Sequence, residues 1–127
     1  MRYLGIDYGL KKMGLAVSEG TLAAPLRVVS LNSLKDALEK ARRVIKEQAI
    51  DEVIVGVPES GVSLKATKNF IKALQAVISV RQVEETLSSY NARALMRDLA
   101  ISKKGEDAYA ACLILQNYLD SLNLKNG

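Results

Sequence analysis

The carboxylates are the side chains in this sequence best suited to chemistry, and they fall in three separate places. Asp7 stands inside an otherwise apolar run, Tyr3-Leu4-Gly5-Ile6-Asp7-Tyr8. A charge inside a buried strand is costly unless a partner or a metal compensates it, and folding alone gives this strand no reason to carry one. Glu84 and Glu85 close a short strand pattern, Val80 to Val83, and Glu106 and Asp107 open the last helical stretch. Acids gathered from distant segments suit the capture of divalent cations, because close-packed like charges repel until a cation neutralises them. Two cations about 3.5–4 Å apart activate water and steady a leaving oxygen, which is the chemistry of phosphodiester hydrolysis. Each acid also has an ordinary explanation. Asp7 suits a strand-to-turn exit, Glu84 and Glu85 a solvated strand end, and Asp107 a helix start favoured by the helix dipole.

What the chain lacks narrows the chemistry. It has no histidine, so the commonest general base and the usual zinc ligand are missing. A single cysteine, Cys112, cannot build a thiolate cage, and it falls on the apolar side of a helix as a core packer. Any metal is then held by oxygen, which suits Mg²⁺ or Mn²⁺. The net charge of +4 favours a polyanionic partner. Lys11 and Lys12 follow Asp7, while Lys103 and Lys104 precede Asp107. Lysines so placed hold phosphates while the acids hold metal; the alternative is a pair of solvated turns. With no tryptophan and one phenylalanine, a platform for stacking bases is thin. Glu59 and Glu84, at the ends of the fourth and fifth strands, are reserve candidates for the same site.

The elements that must position these residues follow from periodicity. Residues 2–8 and 12–18 read as strands joined by a short turn around Gly9, and Leu26-Arg27-Val28-Val29 reads as a third after Pro25. Asn32 or Ser33 caps a helix marked by Leu34, Ala37, Leu38, Ala41, Val44 and Ile45. The run from Glu52 to Val57 is a strand buried on both faces. A helical stripe from Thr67 to Ile78 and a short strand from Val80 follow. Ser88 or Ser89 then caps a helix through Leu99, 102–105 turns, and a last helix begins near Asp107. Three strands with short connections followed by crossovers make an α/β fold. Its mixed five-stranded sheet, three antiparallel strands and then two parallel, has helices on both faces, which is the ribonuclease H-like architecture. In the order 3-2-1-4-5 the fifth strand lies two spacings from the first, so Asp7 and Glu85 start about 10 Å apart laterally.

At 127 residues the chain is expected to be one domain, 1–127. No apolar run approaches the ~20 residues of a membrane span. The first residues read straight into a strand with no charged-then-apolar leader. With one cysteine, a reducing cytoplasm is the expected setting.

Four segments together resemble the YqgF (RuvX-like) family. They are the opening run through Ser18, Val55-Gly56-Val57-Pro58, Glu84-Glu85-Thr86-Leu87-Ser88-Ser89, and Lys104-Gly105-Glu106-Asp107-Ala108-Tyr109-Ala110. The resemblance covers nearly the whole chain in the right order. It implies a metal-dependent endonuclease that matures the 5′ end of pre-16S rRNA, or alternatively resolves Holliday junctions, as a monomer or homodimer. The family's acidic positions carry over onto Asp7, Glu85 and Asp107, and the end of its opening motif makes Ser18 a further reserve candidate. Two departures stand out: Thr86 occupies the place of the family's arginine, and the loop after Pro58 is shorter than usual. Other classes stay open as well. Gly5-Ile6-Asp7-Tyr8-Gly9 is similar to the first phosphate loop of actin/Hsp70-like ATPases, although one domain cannot form their two-domain clamp. A non-catalytic RNA-binding assembly factor is the remaining alternative.

Overall fold

Side chains alternate along each strand, so the sheet presents two apolar faces, and each face acquires its own helical cover. The computed structural model describes residues 1–84 and 106–126, with the backbone alone for Glu106, Asp107 and residues 123–126. β1 (Tyr3–Tyr8), β2 (Lys12–Ser18) and β3 (Ala23–Ser30) form an antiparallel meander. α1 (Leu34–Glu47), β4 (Glu52–Val57), α2 (Val62–Leu74), β5 (Val80–Glu84) and α3 (Glu106–Asn126) follow. The five strands lie in the order β3-β2-β1-β4-β5, with β4 parallel to β1 and β5 parallel to β4. This is the mixed sheet that the element order predicts. The helix expected between Ser88 and Leu99 and the turn at 102–105 lie outside the described residues.

One face of the sheet packs Leu4, Ile6, Met13, Leu15, Val53 and Val55 against α1 and α2. The other packs Ala16 and Ile54 against Ala111, Ile114, Leu115 and Leu119 of α3. β4 supplies both faces, which is why it reads as an unbroken apolar run. The start of α1 is closed reciprocally. Ser33 Oγ accepts from the Asp36 N–H and Asp36 Oδ2 from the Asn32 N–H, both at 3.0 Å.

Two boundaries differ from expectation. β3 begins at Ala23 and contains Pro25. Leu15 pairs with Arg27 and Ala16 with Pro25, so Leu26 is an extra residue in a bulge. A proline without an N–H is tolerated there because β3 is an edge strand and the ladder is already interrupted. α2 ends at Leu74, short of Ile78. The Leu74 carbonyl accepts from the N–H groups of Val77 (3.0 Å) and Ile78 (3.2 Å), and the Ser79 carbonyl accepts from Val53 (3.0 Å), which draws the chain out of the helix and into β5.

Candidate active site

β1, β4 and β5 run parallel, so their carboxyl ends share one edge of the sheet, the edge where open α/β sheets bind ligands. Asp7 stands at that edge. In β1, Leu4 and Ile6 enter the α1/α2 core, and Tyr8 stacks on Phe70 of α2 with ring centroids 4.4 Å apart. The side chain between them, Asp7, therefore faces the α3 side, where it is half-buried. Its partner on β2 is Gly14. Gly56 follows Val55, the β4 partner of Ile6. Both glycines share their face with Ala16 and Ile54, the sheet residues packed against α3. The positions nearest Asp7 on the two neighbouring strands are thus glycines, while Lys12 of β2, two residues from Gly14, shares its face.

Contacts along β1 give the direction of α3. The Tyr3 ring lies against Tyr118, centroids 6.2 Å apart, and Gly5 lies beneath Leu115 and Ala111. Moving up β1 towards Asp7 is therefore moving back towards the start of α3. Two strand residues advance about 6.6 Å and one helical turn about 5.4 Å. Asp7 accordingly stands level with the first turn of α3, whose backbone carries Asp107 one turn before Ala111.

Polar ties hold the other half of α3 in place. Tyr118 donates to Glu52 Oε1 at 2.9 Å. Gln116 brackets the start of β3: its Oε1 accepts from Ala23 N–H at 2.9 Å, and its Nε2 donates to the Thr21 carbonyl at 3.0 Å. Glu52 is only 8% exposed. Ser79 Oγ donates to its carboxylate at 3.4 Å, and Arg81 Nε stands 3.7 Å from it. Burial first, and then the bond to Glu52, raise the Tyr118 phenol above its ordinary value. These ties went unrecognised in the sequence. The available signal was an acid, Glu52, directly opening a buried strand.

The other described candidates are dispersed. Glu84 reaches the same edge, level with Val57, about 10 Å to the side of β1. Val83 packs on the α3 side, so strand alternation turns Glu84 away from Asp7. With Glu59, Leu64 and Lys68 it lines a cleft of about 450 Å³ between β5 and α2 that does not include Asp7. Ser18 does not face the site. It pairs with Tyr3 at the far end of β1, and its Oγ accepts from the Gly20 N–H at 3.0 Å. The meander reverses direction, so the end of β2 lies beside the start of β1. Lys11 and Lys12 are exposed at the β1–β2 tip, and alternation puts Lys12 on the face of Asp7. Glu85, Lys103 and Lys104 lie outside the described residues. Among the described residues no three acidic, cysteine or histidine side chains are grouped to hold a metal; of the expected trio only the Asp7 side chain is described. Cys112 is half-buried, and burial pushes its thiol up to about 11.

A family profile described as "RuvX: Holliday junction resolvase" matches residues 1–121. The chain belongs to the RuvX family. A protein of Chloroflexus aggregans named "Putative pre-16S rRNA nuclease" is 34% identical over 131 residues, covering 93% of this chain and 92% of its own length. A Bacillus subtilis protein of the same name is 33% identical, covering 97% of this chain and 100% of its own. Among solved structures, T. thermophilus RuvC in complex with a Holliday junction substrate superposes with a TM-score of 0.64 at 18% identity, covering 95% of this chain and 96% of that one. The fowlpox virus Holliday junction resolvase does so with a TM-score of 0.64 at 16% identity, covering 96% and 99%. At these identities the structural likeness establishes the ribonuclease H-like fold. Among the described residues of this RuvX-family chain, no helix is long and apolar enough to cross a membrane.

Proposed function

We propose that this protein is a divalent-cation-dependent endonuclease that hydrolyses phosphodiester bonds in nucleic acid, with 5′-end processing of the 16S rRNA precursor as its reaction. The position of Asp7 at the carboxyl edge of the parallel strands, level with the backbone turn that bears Asp107, supports the hydrolytic reading, and the relatives named pre-16S rRNA nuclease support the substrate. The site fits Mg²⁺ or Mn²⁺ by donor chemistry: the candidate ligands are carboxylates, and the chain has no histidine. Asp7, Glu85 and Asp107 would hold the cation. When bound, it lowers the pKa of water and offsets charge on the phosphate.

The chain's own residues supply position. β1 holds Asp7 between two glycines, so a phosphate can approach it closely there, with Lys12 of β2 on the same face. Lys11 and Lys12 stand on the turn just beyond, where their charge retains the phosphate backbone without reading sequence. Tyr8 is committed to its stack on Phe70 and belongs to the core. Polyanion and cation chemistry of this kind suits a cytoplasmic nuclease acting as a monomer on RNA or as a two-fold dimer on a symmetric junction.

The test is cleavage of a 5′-extended 16S precursor RNA and of a four-way DNA junction, side by side, with Mg²⁺ or Mn²⁺. The RNA is expected to be cut only with cation present, and Asp7→Asn to fold normally and cut neither. Full activity of Asp7→Asn refutes the ligand set. Cutting of the junction alone transfers the activity to branched DNA.

A further inference from the structure

Gly5 is a glycine in the middle of a central strand, where a residue without a side chain weakens the sheet. Its backbone gives no reason for it, because among the described residues only Gly20 and Gly61 are glycines with positive φ. The reason lies above it. A Cβ built at Gly5 would stand 2.7 Å from Leu115 Cβ and 2.8 Å from the Ala111 carbonyl oxygen. Real contacts between such atoms settle near 3.5–4.0 Å. One of the two obstacles is backbone, so no rotamer change relieves it and the helix itself has to move. Its neighbour across the ladder, Ala16, is also small, fully buried and packed against α3. The sheet therefore has a shallow seat beneath Ala111 and Leu115, two residues before Asp7 on the strand and one turn after Asp107 on the helix.

We infer that Gly5 is a positioning residue: by letting α3 seat directly on β1, it sets the separation between Asp7 and the helix turn that carries Asp107. This rests on the metal-site assignment above. A methyl group at position 5 lifts α3 by about 1 Å. The push is applied at Ala111 and Leu115, and because Gln116 and Tyr118 tie the following part of the helix to Ala23, Thr21 and Glu52, the displacement is taken up towards the first turn. A misplacement of that size lowers turnover by about 100-fold and metal affinity by about 10-fold or more.

The experiment measures Mn²⁺ binding by titration calorimetry and cleavage kinetics for the native chain, Gly5→Ala, Ala16→Val and Leu119→Ala, each confirmed folded by circular dichroism at the assay temperature. Ala16→Val raises the same seat from the adjacent strand, and it carries the test if Gly5→Ala does not fold. Leu119→Ala opens a cavity under the far half of α3 and destabilises the protein without raising the seat. Gly5→Ala or Ala16→Val is expected to bind Mn²⁺ at least about 10-fold more weakly and to lose kcat with KM for nucleic acid little changed. Leu119→Ala is expected to keep native affinity and kcat. Native Mn²⁺ affinity in both seat variants overturns the inference and leaves the metal site standing, as does an equal loss in Leu119→Ala. A native chain that binds no Mn²⁺ refutes the metal site and the inference with it.

Discussion

Replacing Tyr118 by phenylalanine isolates the bond that ties α3 to β4. The phenol donates at 2.9 Å to a carboxylate that is 8% exposed. What remains for Glu52 is weaker: a hydroxyl at 3.4 Å and a guanidinium nitrogen at 3.7 Å. A hydrogen bond to a charged group contributes about 1.5–3 kcal/mol. Tyr118 is itself partly exposed, so water replaces some of that, and the lower value, about 1.5 kcal/mol, applies. For 127 residues, at about 2.1 cal/mol/K each, the unfolding entropy is about 0.27 kcal/mol/K, and Tm falls by about 6 °C. The sign of the pH dependence follows from the raised phenol. The folded state holds this proton more tightly than the unfolded state does. The contribution is therefore complete below the ordinary tyrosine value of 10.0 and is lost as pH rises through the higher folded value. Tyr8 is raised too, by burial, so the difference between native and Tyr118→Phe stability curves isolates Tyr118. The assay is urea unfolding from pH 7 to 11, completed with Glu52→Gln and the double variant. A coupling energy below about 0.5 kcal/mol in that cycle refutes the reasoning.

Two further outcomes test the core. Thr67 is fully buried in α2 with its hydroxyl unpaired, so Thr67→Val is expected to raise stability by about 1 kcal/mol, read as a higher urea midpoint at unchanged slope; a lower midpoint contradicts this. With its thiol pushed up to about 11, Cys112 is expected to react with a disulfide reagent at pH 7.5 far more slowly in the folded protein than in urea, and equal rates contradict its packing role.

The order and sense of the strands were legible because hydrophobic period, glycine turns and a run buried on both faces are local properties. Asp7 was legible for the same reason: an acid among apolar strand neighbours is visible without a fold. The extent of β3 was less so, because a proline reads as a boundary until an edge position and a bulge make it admissible. Ser18 was misplaced because motif proximity says nothing about which end of an antiparallel ladder a residue occupies.

By itself, then, the amino-acid order determined the described elements, their family and the chemical character of the candidate ligands, because these depend on short-range pattern and residue type. Only the tertiary structure decided which carboxylates share a face. It turned Glu84 towards α2, gave Glu52 to Tyr118, and brought the first turn of α3 level with Asp7. Those outcomes depend on how closely and in which direction a helix seats on a sheet. That distance is governed by contacts between residues about a hundred positions apart, such as Gly5 with Ala111 and Leu115.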